Sequence, residues 1–372
     1  MQMDSHDLPP EMLVEILKWA RLSPLFTLCG TSTLVSVSQV CRRWRAVAIG
    51  TSLLWNDVQF SSNFSPCMLS SVLSRSGVLP ISISLDLHRS NPNLVQCRSL
   101  LESVVSHRSC IRGLAIRAPI YILTILSRAI SRIGNDFPVL EFLNVDHTIS
   151  PTLQEDDVPT IYSVLPCRLN LNAAKLESLS VTGATITPLA TAYRLKELHV
   201  DKSANFSQLD VSSIDQLETL SVKQSPFPIV PVAEEPIETR LVSLTLCDLR
   251  IADISPGDFT AFLSTIRMPC LEHLVIDGLF GYLWDEFIQC GQAGALHYPA
   301  LRSVTLESVD LTAGLDEGFF RNTFSSVWTL RLLDVNFKAV LRILEGNPLV
   351  CPQLREIDTG MSGKLRIHGR WD

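Results

Sequence analysis

Ten times between residues 111 and 354 the sequence returns to one phrase: apolar, two residues, apolar, one residue, apolar. It opens as Ile111-Arg-Gly-Leu114-Ala-Ile116, Leu140-Glu-Phe-Leu143-Asn-Val145, Leu176-Glu-Ser-Leu179-Ser-Val181 and Leu195-Lys-Glu-Leu198-His-Val200. Leu217-Glu-Thr-Leu220-Ser-Val222, Leu241-Val-Ser-Leu244-Thr-Leu246, Leu271-Glu-His-Leu274-Val-Ile276 and Leu301-Arg-Ser-Val304-Thr-Leu306 follow, then Val327-Trp-Thr-Leu330-Arg-Leu332 and Leu354-Arg-Glu-Ile357-Asp. The mean step between starts is 27 residues, room for one strand and one connection per copy. The second and third apolar positions lie two apart and, in an extended chain, point to one side. One copy cannot cover that side alone, so the copies must stack on each other.

Helical signals lie between several copies. Ser255-Pro256-Gly257-Asp258 reads as a capping box with proline at the first helical position, opening a helix over 259–268. Residues 94–110, 121–133, 284–290 and 337–345 have helical apolar spacing, and Gly134, Gly291 and Gly346 close three of them. Strand then helix, once per copy, predicts an α/β solenoid: a curved parallel sheet inside and helices outside. Residues 79–85 read as a weaker first strand. Residues 150–166, with Glu155-Asp156-Asp157, and residues 225–238, rich in proline, read as acidic extended loops.

This pattern resembles leucine-rich repeats, L-x-x-L-x-L-x-x-N/C-x-L, over roughly residues 105–360. Where that family places Asn or Cys, this chain has Leu249, Leu279, Val309 and Val335, so the resemblance implies irregular repeats.

The N-terminal segment is built differently. Leu8-Pro9-Pro10-Glu11-Met12-Leu13-Val14-Glu15-Ile16-Leu17 opens a helix with prolines at its start and acids in its first turns, which suit the helix dipole. Residues 34–48 then pair two short helices whose apolar side chains, Leu34, Val37, Val40, Cys41, Trp44 and Val47, exceed what so small a bundle can bury, and that surplus invites a partner. The ordered elements L-P-P-E-x-L-x-E-I-L, V-C-R-R-W and L-W resemble an F-box, of the kind found in fungal proteins with a long connection between the first two helices, here residues 19–33. The resemblance implies docking onto the Skp adaptor of cullin–RING ubiquitin ligases through Leu8, Pro9, Pro10, Glu11, Ile16, Leu17, Val40, Cys41, Trp44, Leu54 and Trp55, with Leu34 and Val37 joining from the apolar surplus. It also implies a second domain that holds a protein substrate. Three segments are expected: an F-box-like domain over 5–60, a connecting segment with a first irregular repeat over 61–104, and the repeats over 105–372. The alternative is a repeat scaffold whose helical segment merely caps the stack, with no ubiquitin-ligase role.

Composition narrows the function further. The formal charge is −7, all of it arising beyond residue 60, which argues against nucleic acid as a partner. The longest apolar run, residues 118–126, is too short to span a membrane, and the first twenty residues carry acids rather than a secretory signal. A cytoplasmic or nuclear location is therefore expected, with ten scattered cysteines kept reduced. Eight histidines form no metal-binding pair, and neither a nucleophile elbow nor a phosphate loop is present, so no cofactor, metal or catalytic residue is expected.

Between the buried positions of each strand lie the outward residues. Small hydroxyls such as Ser178, Ser180, Thr219, Ser221, Ser243 and Thr245 dominate the middle, with Cys247 closing the sixth copy. His199, Asp201, Lys223, His273, Asp277, Glu307 and Arg331 are the candidate substrate contacts, the last four expected to form one patch.

Overall fold

In nine of its ten copies the phrase becomes a parallel strand; eight bury both their second and third apolar residues, and the last, whose third position is Thr359, buries Ile357. The computed structural model describes residues 8–22, 30–61, 66–88, 93–147, 167–187, 194–201, 216–223, 241–242, 246–252, 266–278, 285, 287–289, 298–309, 317–335, 337–360 and 364–366. The expected capping box at 255–258 and both acidic segments lie outside these, as do residues 23–29 of the long connection. The chain divides into two units: Met1–Leu176 with Ile186–Ala192, and Glu177–Thr185 with Tyr193–Asp372.

The first unit opens with helices α1 (Pro10–Leu22), α2 (Gly30–Val37) and α3 (Arg42–Gly50) and a 3-10 turn, Ser52–Trp55. Strand β1 (Asp57–Ser61), α4 (Pro66–Ser76), β2 (Ile81–Asp86), α5 (Leu94–Ser106), β3 (Ile111–Ala118), α6 (Ile120–Ile133) and β4 (Phe142–His147) follow, and the four strands pair in parallel in chain order. The sheet therefore begins earlier than the sequence reading places it. Trp55-Asn-Asp-Val58-Gln-Phe60 is the same phrase with tryptophan leading, and Trp55, Val58 and Phe60 are all buried. Helix α5 stops at Ser106, short of residue 110, where a turn through His107 leads into β3.

In the second unit β5 (Ser178–Thr182), β6 (Glu197–Asp201), β7 (Thr219–Lys223), β8 (Asp248–Ala252), β9 (His273–Asp277), β10 (Ser303–Glu307), β11 (Thr329–Leu333) and β12 (Glu356–Asp358) pair with one another in parallel in chain order, and β13 (Lys364–Arg366) pairs antiparallel with β12. Helices α7 (Glu317–Thr323) and α8 (Phe337–Gly346) lie between the later strands. Phe319 anchors an aromatic cluster in the core, edge-on to Phe287, Phe320 and Phe324 at 5.5, 5.8 and 5.2 Å between ring centres.

Six of the phrases are entered by a tight turn that extends the repeat. The amides of Leu140, Leu176, Leu271, Leu301, Val327 and Leu354 donate to the carbonyls three residues back, on Phe137, Ala173, Met268, Tyr298, Phe324 and Cys351, all of them buried. Pro138, Pro269, Pro299 and Pro352 take the second position of four of these turns, where a fixed φ suits the geometry. At the far end of the strands Gly278, Ser308 and Asp334 all have positive φ, and the Gly278 and Ser308 amides each extend the ladder to the next strand.

Two expectations are corrected. The sixth copy is shifted: Leu246, Leu249 and Ile251 carry the phrase, and β8 pairs with β7 and β9 in that register, while Leu244 lies outside the described residues. Leu249 is thus a core strand residue rather than the occupant of the family's Asn position, and Asp248 and Arg250 are the exposed residues of this strand, Ala252 being buried; Ser243 and Thr245 lie outside the described residues. Leu241–Val242 pairs separately with Ile266–Arg267. The expected helix over 259–268 accordingly does not reach its predicted end, because residues 266–267 are extended and Pro269 disfavours a helical Met268.

Because Leu274 is buried and its strand is paired on both sides, Leu274→Ala should destabilise the protein by about 2–5 kcal/mol, read as a shift in the urea midpoint. Val275→Ala, on the solvent side of the same strand, is expected to cost less than about 1 kcal/mol.

Candidate functional site

The helical module is held from within by its final tryptophan. Trp55 is buried, its indole N–H donates to the Ala48 carbonyl in α3 at 2.7 Å, and the Arg75 guanidinium of α4 lies 4.6 Å from its ring centre. Trp55 therefore ties the helices to the first repeat. Leu17, Leu34 and Leu54 are buried with it, so four of the expected adaptor contacts present no surface to a partner and act by holding the module together.

The start of the module is fixed by Arg43, which donates from α3 to the Leu8 carbonyl and so sets how the chain enters α1. Cys41 caps α3 weakly, its Sγ accepting from the Trp44 amide at 3.5 Å, and both side chains are half-buried. Pro9, Pro10 and Glu11 are exposed at the start of α1, while Leu8 and Val37 are half-buried.

What remains open is apolar. Met12, Ile16 and Trp19 are exposed at 51%, 39% and 73%, and their spacing of four and three puts them in one stripe along α1, on a different side from the buried Leu13 and Leu17. Val40, after α2, is exposed at 65%. The motif had singled out Ile16 and Val40; Met12 and Trp19 were missed, although their spacing relative to Ile16 was the signal.

On the second unit the register sorts the candidate substrate contacts into rows. Asp201 pairs in register with Lys223, and Asp277 with Glu307. His199 lies in the row of Ser221, Arg250 and Val275. The expected patch of His273, Asp277, Glu307 and Arg331 is not one group. His273 stands at the opposite end of β9 from Asp277, and Arg331 reaches Asp358 at 3.2 Å. Arg250, absent from the sequence expectation because of the shifted sixth copy, comes within 4.0 Å of the Glu307 carboxylate. The face carries Glu197, Asp201, Asp248, Asp277, Glu307, Glu356 and Asp358 against Lys223, Arg250 and Arg331, so its cations are outnumbered.

Four thiols are tuned away from nucleophilic work. Burial pushes Cys97 and Cys110 up, and Cys351 up to about 12; burial, then the Glu272 carboxylate, raises Cys247. Among the described residues no group of three or more His, Cys, Asp or Glu is placed to hold a metal ion, and no helix is long and apolar enough to cross a membrane.

No curated protein matches the chain in sequence. A family model, F-box-like, matches residues 5–61, which takes in α1 to α3, the 3-10 turn with Trp55, and β1. F-box domains are adaptor modules rather than catalytic ones and bind Skp adaptors in general. The exposed stripe and the tryptophan-anchored core described above thus belong to an F-box-like domain at residues 5–61.

Proposed function

We propose that this protein is the substrate-recognition subunit of an SCF-type cullin–RING ubiquitin ligase, docking on the Skp adaptor through residues 5–61 and holding a protein substrate on the repeats of the second unit. The observation that carries the reading is the α1 stripe. Three large apolar side chains stay exposed on a helix whose adjacent side is buried, and a surface of that kind is stabilised by a partner. Leu8, Pro9, Pro10, Val37, Val40, Cys41 and Trp44 frame the same module, and the buried members of the motif keep it rigid. A capping role for the helices is compatible with this reading, since Trp55 and Arg75 carry the cap from the inside while Met12, Ile16 and Trp19 face out. The substrate surface is the row-ordered polar face of β5 to β12, where His199, Asp201, Lys223, His273, Asp277, Glu307 and Arg331 stand with Arg250 and Asp248. The role places the protein in the cytoplasm or nucleus.

Anchors of this kind typically contribute about 2 kcal/mol or more, so Ile16→Ala combined with Trp19→Ala should weaken capture of the Skp adaptor by at least about thirtyfold, measured by titration of purified proteins. Both positions are exposed, so the thermal midpoint should hold. Undiminished capture by the folded double variant would overturn the docking assignment.

Chemistry supplies a second check on a non-catalytic role. In native protein at pH 8 an aromatic disulfide reagent should modify the exposed Cys67 and Cys270 first, while Cys97 and Cys351 react only after denaturant is added. Rapid modification of Cys351 in the folded state would mean an activated thiol and would reopen an enzymatic reading.

A further inference from the structure

The second unit holds one arrangement that neither the adaptor module nor the polar face of the sheet uses. Arg302, Trp328 and Arg355 directly precede β10, β11 and β12, and the backbone puts them in one row: the Trp328 amide donates to the Arg302 carbonyl, and the Arg355 amide to the Trp328 carbonyl, both at 2.8 Å. Trp328 is thus flanked on both sides. Each guanidinium carbon lies 4.5 Å from its ring centre, and the indole N–H is held by the Gln353 side chain at 2.8 Å. Both arginines are exposed, and neither forms an ion pair with a described residue. Arg250 and Arg331, by contrast, face carboxylates.

A guanidinium stacked on an indole has its plane fixed and its N–H edge turned outward, the geometry that grips an oxyanion in a two-toothed contact. The two arginines stand on the strands either side of Trp328, so their backbones are two strand spacings, about 9 Å, apart. One small anion cannot bridge them. A polyproline-type segment rises about 3.1 Å per residue with three residues per turn, so its side chains at i and i+3 share a side about 9 Å apart.

We propose that the Arg302–Trp328–Arg355 row is a docking site for an extended peptide carrying two oxyanion side chains three residues apart. The proposal rests on the substrate-receptor reading for what delivers the peptide, and deepens it by naming the recognised chemistry. A long polyanion is disfavoured: Glu272 lies next to Arg302 in the same row, and the adjoining sheet face has more acids than bases. Carboxylate and phosphoserine share the required chemistry and are separated by experiment.

The probes are fluorescein-labelled proline-rich hexapeptides, Pro-Glu-Pro-Pro-Glu-Pro, its phosphoserine counterpart, and a version with the two glutamates two residues apart, each titrated into the full chain. Binding of the first peptide should fall roughly tenfold in Arg302→Gln, Arg355→Gln and Trp328→Leu and stay within twofold in Arg98→Gln and Arg321→Gln, exposed helix arginines that lie outside the substrate face. The two-apart peptide should bind roughly tenfold more weakly. Tighter binding of the phosphoserine peptide supports the site with phosphate as its source, and equal binding supports it with carboxylate. Equal losses in all four arginine variants, no preference between the two spacings, or tighter binding of a single-stranded RNA of equal length would overturn the proposal. Adaptor capture is measured on the same variants: failure of wild-type capture beside intact peptide binding removes the receptor role and leaves the site standing.

Discussion

A single line of carbonyls organises the second unit. The oxygens of Lys196, Glu218, Cys247, Glu272, Arg302 and Trp328 each accept from two successive amides of the next repeat, as when Lys196 receives Glu218 at 2.8 Å and Thr219 at 2.9 Å. A parallel strand cannot satisfy its own backbone, so every repeat is stable only between neighbours. The shared acceptor fixes register at the first residue of each strand. The apolar side chain just before it, Leu195, Leu217, Leu246, Leu271, Leu301 or Val327, is then buried beneath the turn. From that line both faces follow: the second and third apolar positions enter the core, and the residues between them form straight rows on the solvent side.

The rows explain what the residue pattern could and could not convey. Nine strands were legible because the phrase encodes burial directly. The sixth copy was ambiguous, since Leu241, Leu244 and Leu246 and then Leu246, Leu249 and Ile251 satisfy the same pattern five residues apart. Only pairing with β7 and β9 selects the second, and that is a long-range choice with no local signature. The missed strand β1 is the opposite case. Its phrase is present, but the leading residue is Trp55, which the F-box resemblance had already absorbed as the end of the helical module. One residue serves both, closing the helices through the Ala48 carbonyl and opening the sheet.

For the candidate site the limits are different in kind. A family motif lists positions without separating those that build a fold from those that meet a partner. In this chain Leu17, Leu34, Leu54 and Trp55 belong to the first group, Ile16 and Val40 stay exposed, and Cys41 with Trp44 are half-buried between them. The helical period alone would have found Met12 and Trp19, since spacings of four and three return to one side of a helix. Lys223 and Asp201, and Asp277 and Glu307, become neighbours only through strand register, which sequence spacing of 22 and 30 residues does not reveal.

Charge placement connects these surfaces to what they can recognise. The module around α1 offers apolar area and depends little on ionic strength, whereas charges on the sheet act over a Debye length of about 8 Å at physiological salt. Within that distance Arg331 has Asp358 and Arg250 has Glu307, so these cations are already satisfied and contribute orientation more than attraction. Arg302 and Arg355 are held differently. Their stacking partner is an aromatic face, which leaves the hydrogen-bonding edges unspent, and their surroundings are acidic enough to resist a diffuse anion. Cations arranged in that way favour a ligand whose charges are few and correctly spaced, because each misplaced oxyanion meets a carboxylate instead of a guanidinium.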